Sequence, residues 1–212
     1  LPVNYKAVIS YIVDKFSPEI EIVVVVGHRK DTVVDYLTLA HPGRKFTFVE
    51  VDRFAGPGTG PGYSLLACKN HLQCPFIFST ADTIVLEDVP LPNENWIGIA
   101  PVRETEPYCT VKIKNNLVYQ LDIKTKNDNS FAFIGLAGIK DYEKFFTALE
   151  HDKKSIANEI QVTNGLNVLI ENKLVPIGFT WFDTGTLENY KETNKNFSGE
   201  GKFDFSKGDE FL

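Results

Sequence analysis

The 212-residue sequence contains no methionine, and it has only three cysteines, at positions 68, 74 and 109. The cysteines form no Cys-x-x-Cys pair and their number is odd, so nothing indicates a disulfide framework or a zinc site. Unpaired thiols are compatible with a reducing compartment, and we therefore expect a cytoplasmic location.

Basic residues are also in deficit, because 22 lysines and arginines face 28 acidic residues and the formal net charge is −6. Nucleic-acid backbones are held by clustered basic side chains, so this balance argues against a nucleic-acid partner. The longest apolar run, residues 22–26, has the length of a strand and is far too short to span a membrane. We expect no membrane partner, and any anionic ligand has to be held locally.

Two aspartates follow apolar segments that read as strands. Asp82 comes after a strand predicted at residues 76–79, and Asp183 after one predicted at residues 174–180. Ligands of open α/β folds bind at the carboxyl edge of the sheet, where such carboxylates lie. Mg²⁺ typically takes one or two protein carboxylates and completes its coordination with phosphates and water. The pair predicts a shared Mg²⁺ site, although each aspartate alone could also be a turn or N-cap residue.

A glycine-rich segment, residues 56–62, lies between a predicted strand and a predicted helix. This order is typical of phosphate and nucleotide loops, because glycines let backbone N–H groups approach a ligand and a helix N-terminus favours negative charge. The spacing matches neither the dinucleotide fingerprint nor a P-loop, since no Gly-Lys-Ser/Thr follows. The segment predicts a nucleotide site, with an ordinary connecting loop as the alternative.

Apolar patterning over the first 79 residues alternates predicted helices with predicted strands, which is typical of a parallel sheet with right-handed crossovers. The elements are helix 8–16, strand 20–26, helix 32–39, strand 46–51, helix 63–71 and strand 76–79. From residue 96 alternating strands surround Asn115 and Asn116, which predicts a hairpin. Helices at 141–150 and 156–171 then lead to the strand before Asp183. We predict an α/β, Rossmann-like fold with a mostly parallel sheet, helices on both faces and a small inserted β-hairpin.

The chain resembles the sugar-phosphate nucleotidylyltransferases, and the resemblance runs along nearly all of it. The most specific match is Trp181-Phe182-Asp183-Thr184-Gly185-Thr186, which is very similar to the family's W-x-D-x-G-T segment. Residues 1–9 are similar to its LPV segment, and residues 20–36 to its second strand and helix. Gly58-Thr59-Gly60 stands where the family has Gly-Thr-Ala. The resemblance implies a GT-A-like variant of the Rossmann-like fold and an enzyme of the nucleotidyltransferase class.

The resemblance also implies a role for each matching residue. Asp82 and Asp183 would bind Mg²⁺ and serve catalysis together with Lys124. Lys124 would contact the phosphate of the second substrate, and Gly135 and Glu159 its sugar. The residues implied in nucleotide binding are Gly58, Thr59, Gly60, Gly62, Tyr63, Ser64 and Asp82. From composition alone, Lys124 is explained as a solvated loop charge, and Glu159 could equally be a carboxylate on a helix surface.

The chain departs from the family pattern in three places. The family has a strand, a G-x-G-x-R loop and a Pro-Lys pair ahead of its LPV segment, whereas this sequence starts at Leu1 without a methionine. We therefore expect a domain that lacks its usual N-terminal segment. Residues 61–63 are an insertion after Gly-Thr-Gly, and Asn164 stands where the family often has Asp. We expect the nucleotidyltransferase domain over residues 1–196 and a tail or linker over residues 197–212.

The expected activity joins an NTP and a sugar 1-phosphate to give an NDP-sugar and pyrophosphate, with Mg²⁺, in nucleotide-sugar and polysaccharide biosynthesis. A cytidylyltransferase acting on a non-sugar phosphate such as phosphocholine would share these motifs. A catalytically inactive nucleotide-binding or regulatory module would share the fold. A related glycosyltransferase would carry an Asp-x-Asp motif, whereas Asp82 is followed by Thr83 and Ile84. The sequence leaves a homo-oligomer open.

Overall fold

The computed structural model of the protein describes residues 1–151, 155–156 and 159–197. The strands in these residues are β1 (Pro2–Val3), β2 (Lys6–Ala7), β3 (Ile22–Val26), β4 (Phe46–Glu50), β5 (Phe76–Ser79), β6 (Thr83–Val85), β7 (Trp96–Pro101), β8 (Cys109–Lys114), β9 (Leu117–Ile123), β10 (Phe131–Ile139), β11 (Ser155–Ile156), β12 (Glu159–Ile160), β13 (Val175–Gly178) and β14 (Trp181–Asp183). The helices are α1 (Val8–Val13), α2 (Lys30–Ala40), α3 (Pro61–Ala67), α4 (Tyr142–His151), α5 (Thr163–Ile170) and α6 (Leu187–Asn196). No helix in this described part of the chain is long and apolar enough to cross a membrane.

The chain forms two compact units. Unit 1 comprises Leu1–Lys15, Phe76–Lys140 and the described residues from Ile170 onward, and it holds both candidate carboxylates. Unit 2 comprises the described residues of Phe16–Pro75 and Asp141–Leu169, and it holds the glycine-rich segment. The domain boundary at residue 196 stays a prediction, and the predicted tail lies outside the described residues apart from its first residue.

The main sheet of unit 1 is built around β10. This strand pairs antiparallel with β5, β7 and β8, while β13 pairs in parallel with β7. Five of the six residues of β7 are buried, and Trp96, Ile97 and Ile99 are at most 1% exposed. Such an apolar strand needs cover on both faces, so it occupies the interior of the sheet and forms the core of this unit.

The predicted hairpin is β8 and β9, which pair antiparallel around Asn115 and Asn116. Both asparagines have a left-handed backbone, with φ of 52° and 59°. Two successive positive φ values are what a tight hairpin turn of type I′ requires, and asparagine tolerates them better than most residues.

In unit 2, β3 and β4 pair in parallel over five residue pairs. Helix α2 connects them, so this is the predicted strand-helix-strand unit. The helix predicted over residues 156–171 is wrong in its first half, because β12 lies there and α5 begins only at Thr163. The backbone N–H of Ile160 donates to the carbonyl of Thr59 at 2.7 Å. This segment is extended because β12 pairs antiparallel with β11, and the bond to Thr59 joins it to the glycine-rich segment.

Candidate functional site

Strands β6 and β14 bring the two aspartates together in unit 1. Their antiparallel pairing sets Asp183 opposite Thr83, the residue after Asp82. The carbonyl of Asp82 accepts two hydrogen bonds from Thr184, from its backbone N–H at 3.0 Å and from its hydroxyl at 2.8 Å. The two strand ends are therefore locked together through the backbone of Asp82, and its carboxylate remains available.

The two carboxylates converge beside Gly185. A Cβ atom added to Gly185 would lie 2.9 Å from Oδ2 of Asp82 and 3.2 Å from Oδ1 of Asp183. Asp82 and Gly185 are exposed, so a ligand can reach this point from solvent. Two hard oxygen donors at one accessible position fit Mg²⁺, which leaves its other coordination positions to water and phosphate.

Asp82 and Asp183 are the two carboxylates that the described residues bring to this point. Within the described residues there is no group of three or more His, Cys, Asp or Glu side chains that could hold a metal ion. A cation bound here would therefore depend on a further ligand for tight binding, which is the usual situation of Mg²⁺ in phosphate-transferring sites. The predicted Asp82–Asp183 pair fits that chemistry.

Two further side chains, Tyr108 and Asn189, contact Asp183. Asn189 Nδ2 donates to Oδ2 of Asp183, and the Tyr108 hydroxyl donates to the same oxygen at 3.3 Å. From the described residues, Oδ1 accepts one hydrogen bond, from the backbone N–H of Gly185 at 2.8 Å. Burial raises the pKa of Tyr108, and the charge of Asp183 raises it further, so the phenol stays protonated and acts as the donor.

Sequence reasoning missed both residues. Tyr108 ends the loop before β8, 75 positions from Asp183, and no local pattern marks it. Asn189 lies in the first turn of α6, directly after the Trp-Phe-Asp-Thr-Gly-Thr segment. The backbone N–H of Asn189 donates to the Thr186 side chain, which caps that helix. A helix whose N-cap, Thr186, lies three residues after the candidate carboxylate was the signal that could have found Asn189.

Gly135 supports the segment that carries Asp82. It has φ of 75° and lies where the pairing of β10 with β7 shifts register. Its carbonyl accepts the backbone N–H of Thr80 at 2.9 Å, and a Cβ at Gly135 would lie 2.6 Å from Oγ1 of Thr80. The structure thus explains this glycine by its close packing against Thr80, which lies two residues before Asp82. Its contact with the sugar stays a prediction.

Lys124 follows β9 and has a left-handed backbone, with φ of 46°. Its backbone N–H donates to the carbonyl of Tyr108 at 3.0 Å, and its side chain is exposed. Tyr108 therefore links the backbone of Lys124 to the carboxylate of Asp183. The role of Lys124 as a phosphate contact stays a prediction.

In unit 2 the glycine-rich segment packs against β12. Gly60 has φ of 106°, and a Cβ added to it would lie 2.8 Å from Cβ of Glu159. A Cβ at Gly62 would lie 2.7 Å from Cγ2 of Ile160. The nearest atom to a Cβ at Gly58 is Nη1 of Arg53, at 3.9 Å. Gly60 and Gly62 are thus packed against protein, and the structure brings Glu159 to the glycine-rich segment as the side chain over Gly60.

Of the other predicted nucleotide residues, Thr59, Tyr63 and Ser64 lie in the same part of unit 2, whereas Asp82 lies in unit 1. Thr59 is buried, with 4% of its surface exposed, and its hydroxyl donates to the Gly56 carbonyl at 2.7 Å. The Tyr63 hydroxyl donates to Asp52 at 2.5 Å, which holds the pKa of Asp52 below its ordinary value. The backbone N–H of Ser64 donates to the Gly60 carbonyl. Binding of a nucleotide by these residues stays a prediction.

No family model matches the sequence. The bifunctional protein GlmU of Methanococcus vannielii is 27% identical over 209 residues, which cover 93% of this chain and 49% of that protein. The GlmU of Methanococcus maripaludis is 25% identical over 205 residues, covering 93% and 48%. The chain spans about half the length of the curated relatives it matches.

Solved structures share the fold at low identity. A Bacillus anthracis protein, named for a glucose-1-phosphate thymidylyltransferase and crystallised with sucrose, matches with a TM-score of 0.80 and 19% identity over 96% of this chain and 87% of that one. A UDP-glucose pyrophosphorylase complexed with UDP-glucose gives 0.78 and 19%, covering 93% and 88%. The CTP:phosphocholine cytidylyltransferase of Streptococcus pneumoniae gives 0.69 and 15%, covering 92% and 86%.

These findings confirm the predicted Rossmann-like α/β fold, which is that of the nucleotidyltransferases. Within that class, the chain is similar to the sugar-phosphate nucleotidylyltransferases over nearly its whole length, and the resemblance drawn from its motifs is confirmed.

Proposed function

We propose that this protein transfers a nucleotidyl group from an NTP to a sugar 1-phosphate, releasing pyrophosphate and forming an NDP-sugar. The observation that carries the proposal is the convergence of the Asp82 and Asp183 carboxylates beside Gly185. The similarity to GlmU and to a UDP-glucose pyrophosphorylase supports a sugar phosphate as the acceptor.

The reaction needs no nucleophile from the protein. An oxygen of the sugar 1-phosphate attacks the α-phosphorus of the NTP, the bond from that phosphorus to the bridging oxygen breaks, and pyrophosphate leaves with the electron pair. Because the attacking phosphate is already anionic, catalysis consists mainly of positioning and charge stabilisation. Asp82 and Asp183 would hold Mg²⁺, which when bound supplies positive charge to the phosphates. Lys124 would bind the acceptor phosphate as a point charge.

We assign the nucleotide to the glycine-rich segment, through Gly58, Thr59, Gly60, Gly62, Tyr63 and Ser64. Support comes from the open backbone at its start. Gly56 and Gly58 have φ of 97° and 82°, and within the described residues no atom lies within 4 Å of a Cβ placed at Gly56. A ligand can therefore approach the peptide groups closely there. Gly135 and Glu159 are assigned to the sugar on the resemblance to the family.

The test is pyrophosphate release by the full-length protein with each of the four NTPs, a panel of sugar 1-phosphates and Mg²⁺. We expect turnover with one NTP and one class of sugar phosphate, and loss of turnover when Mg²⁺ is chelated. The Asp82→Asn variant serves as the control for contaminating activity. Absence of turnover with every pair would contradict the proposal.

A second candidate acceptor is a non-sugar phosphate such as phosphocholine. The structural match to a CTP:phosphocholine cytidylyltransferase favours including it. Adding phosphocholine and CTP to the same panel decides between the two acceptors, because the carboxylate pair serves both reactions and only the acceptor differs. Nucleotide binding without any turnover would instead favour an inactive regulatory module.

A further inference from the structure

We propose that Tyr108 and Asn189 are positioning residues that fix the orientation of the Asp183 carboxylate, so that its Oδ1 rather than its Oδ2 binds the cation. The proposal deepens the function proposed above, since it rests on Asp82 and Asp183 forming a cation site. Neither residue is placed in contact with a substrate.

The first support is the distribution of hydrogen bonds over the two oxygens of Asp183. Oδ2 accepts from two side chains, Asn189 and Tyr108, which use its two lone pairs. Oδ1 accepts only the backbone N–H of Gly185 among the described residues. One lone pair of Oδ1 is thus left for a ligand, and Oδ1 is also the oxygen that borders the same point as Oδ2 of Asp82.

The second support is that both donors are themselves held in place. The Tyr108 ring packs edge-to-face on Trp181, with 5.4 Å between ring centres. The backbone carbonyl of Tyr108 accepts the backbone N–H of Lys124. Asn189 lies in the capped first turn of α6, and the Thr193 hydroxyl of that helix donates to the Asp183 carbonyl at 2.7 Å. Asn189 Nδ2 also donates to the Tyr108 hydroxyl at 3.3 Å, so the three side chains form a closed triangle.

The consequence is a carboxylate that cannot rotate freely. The terminal torsion of aspartate is broad and roughly two-fold, so an unsupported Asp183 would exchange its two oxygens. Partners behind a metal-binding carboxylate orient it, and their removal typically costs 10–100-fold in metal affinity. Tyr108 and Asn189 occupy that place behind Asp183.

The experiment is direct titration of the full-length protein with Mn²⁺, followed by the paramagnetic resonance of free Mn²⁺, with the thermal midpoint of each variant measured alongside. Asn189→Ala and Tyr108→Phe should each weaken Mn²⁺ binding about 10-fold or more. Tyr108→Phe keeps the ring packing and the backbone bond to Lys124, so it is informative even if Asn189→Ala does not fold.

Matched controls exist in the same unit. Asn194→Ala removes an α6 amide that donates to the Tyr190 carbonyl at 2.9 Å, and Tyr11→Phe removes a hydroxyl that donates to the Val3 carbonyl at 2.8 Å. Both should change Mn²⁺ affinity less than two-fold, even if they lower the thermal midpoint. Unchanged Mn²⁺ affinity in Tyr108→Phe and in folded Asn189→Ala, or an equal loss in the controls, would overturn the proposal.

The outcome is separable from that of the proposed function. If the wild type binds Mn²⁺, loses it on Asp82→Asn and loses it with Tyr108→Phe, but releases no pyrophosphate, the positioning role stands and the proposed reaction fails. If the wild type binds no Mn²⁺ at all, the positioning role fails whatever the assay of turnover gives.

Discussion

Gly60 and Gly62 in unit 2 lack a side chain for a different reason from Gly185 in unit 1. In unit 2, protein atoms occupy the space that a Cβ at Gly60 or Gly62 would need, because Glu159 and Ile160 pack there. In unit 1, two carboxylate oxygens border the space beside Gly185. The backbone of Gly185 lies outside the left-handed region. The glycine-rich segment is the more conspicuous feature of the sequence. In the structure, however, it is Gly185, between Asp183 and α6, that lies beside the two carboxylates of the candidate cation site.

The largest expected effect on turnover comes from replacing the two carboxylates beside Gly185. Replacing Asp82 or Asp183 with Asn should lower turnover by roughly 10³-fold or more, since a neutral amide forfeits several kcal/mol of charge stabilisation at the phosphates. The double variant should be no worse than either single one, because both serve one cation. Pyrophosphate release with varied Mg²⁺ measures this. Wild-type activity in either single variant would show that the two carboxylates do not hold one catalytic cation.

A Cβ at Gly185 should act more selectively. Gly185→Ala carries no left-handed strain, yet its methyl would lie 2.9 and 3.2 Å from the two oxygens that would hold the cation. We expect Mn²⁺ affinity to fall by about 10-fold or more, the scale of other changes that disturb a metal site. The thermal midpoint should stay near that of the wild type. Leu187→Ala, at an exposed position two residues on, is the control. A fall in stability without a fall in Mn²⁺ affinity would make Gly185 a packing glycine like Gly62.

The opposite pattern is expected in unit 2. Gly62→Ala places a methyl 2.7 Å from Ile160, and overpacking of this kind costs about 1–3 kcal/mol of stability. Gly56→Ala meets no described atom within 4 Å and carries only the cost of a left-handed residue, about 1–2 kcal/mol. Urea denaturation of the two variants measures both costs.

The same pair of variants tests the nucleotide assignment. If the open start of the segment binds the NTP, Gly56→Ala should raise KM for the NTP more than KM for the acceptor phosphate. Equal KM changes for both substrates, or none, would leave residues 56–62 as a connecting loop.

The sequence was informative where the structure depends on local pattern. The apolar run of β3, the strand β5 that precedes Asp82 and the hairpin at Asn115 and Asn116 were predictable, because period and turn chemistry set them. The segment predicted as one strand at residues 174–180 forms two strands, β13 and β14, and Asp183 is the last residue of β14. The convergence of the two aspartates could be expected but not measured, since it depends on the pairing of β6 with β14, about 100 residues apart in the chain.

Non-local contacts account for what was missed. The start of α5 was placed too early because Glu159 and Ile160 form β12, which pairs with β11 and donates one backbone hydrogen bond to Thr59. The bond to Thr59, about 100 residues away in the chain, has no local sequence signal. Tyr108 contacts Asp183 across 75 positions of the chain, so no window around position 108 contains the signal. Gly60 and Gly135 were interpreted as ligand positions, and those roles stay predictions. The structure adds that a neighbouring side chain, Glu159 or Thr80, occupies the space that a Cβ at each glycine would need.

The burial of the strands sets a second contrast between the units. In β7 of unit 1 five of six residues are buried, whereas in β3 of unit 2 only Val26 is, and β4 has no buried residue. Regions with less buried apolar surface open at lower free energy. Unit 2 should therefore open locally before unit 1 does.

The cysteines report on this contrast, with the smallest expected effect of the five tests. Burial raises the pKa of the Cys68 thiol in unit 2 to about 11 and that of Cys109 in unit 1 to about 12, whereas Cys74 is exposed. Because the thiolate is the reactive form, at pH 8 only Cys74 should be alkylated within minutes. Under mild urea, a Cys74→Ser variant should label at Cys68 before Cys109, by a few-fold in rate, as followed by peptide mass spectrometry. Equal rates would mean that the two units open together, and faster labelling of Cys109 would reverse the order inferred from strand burial.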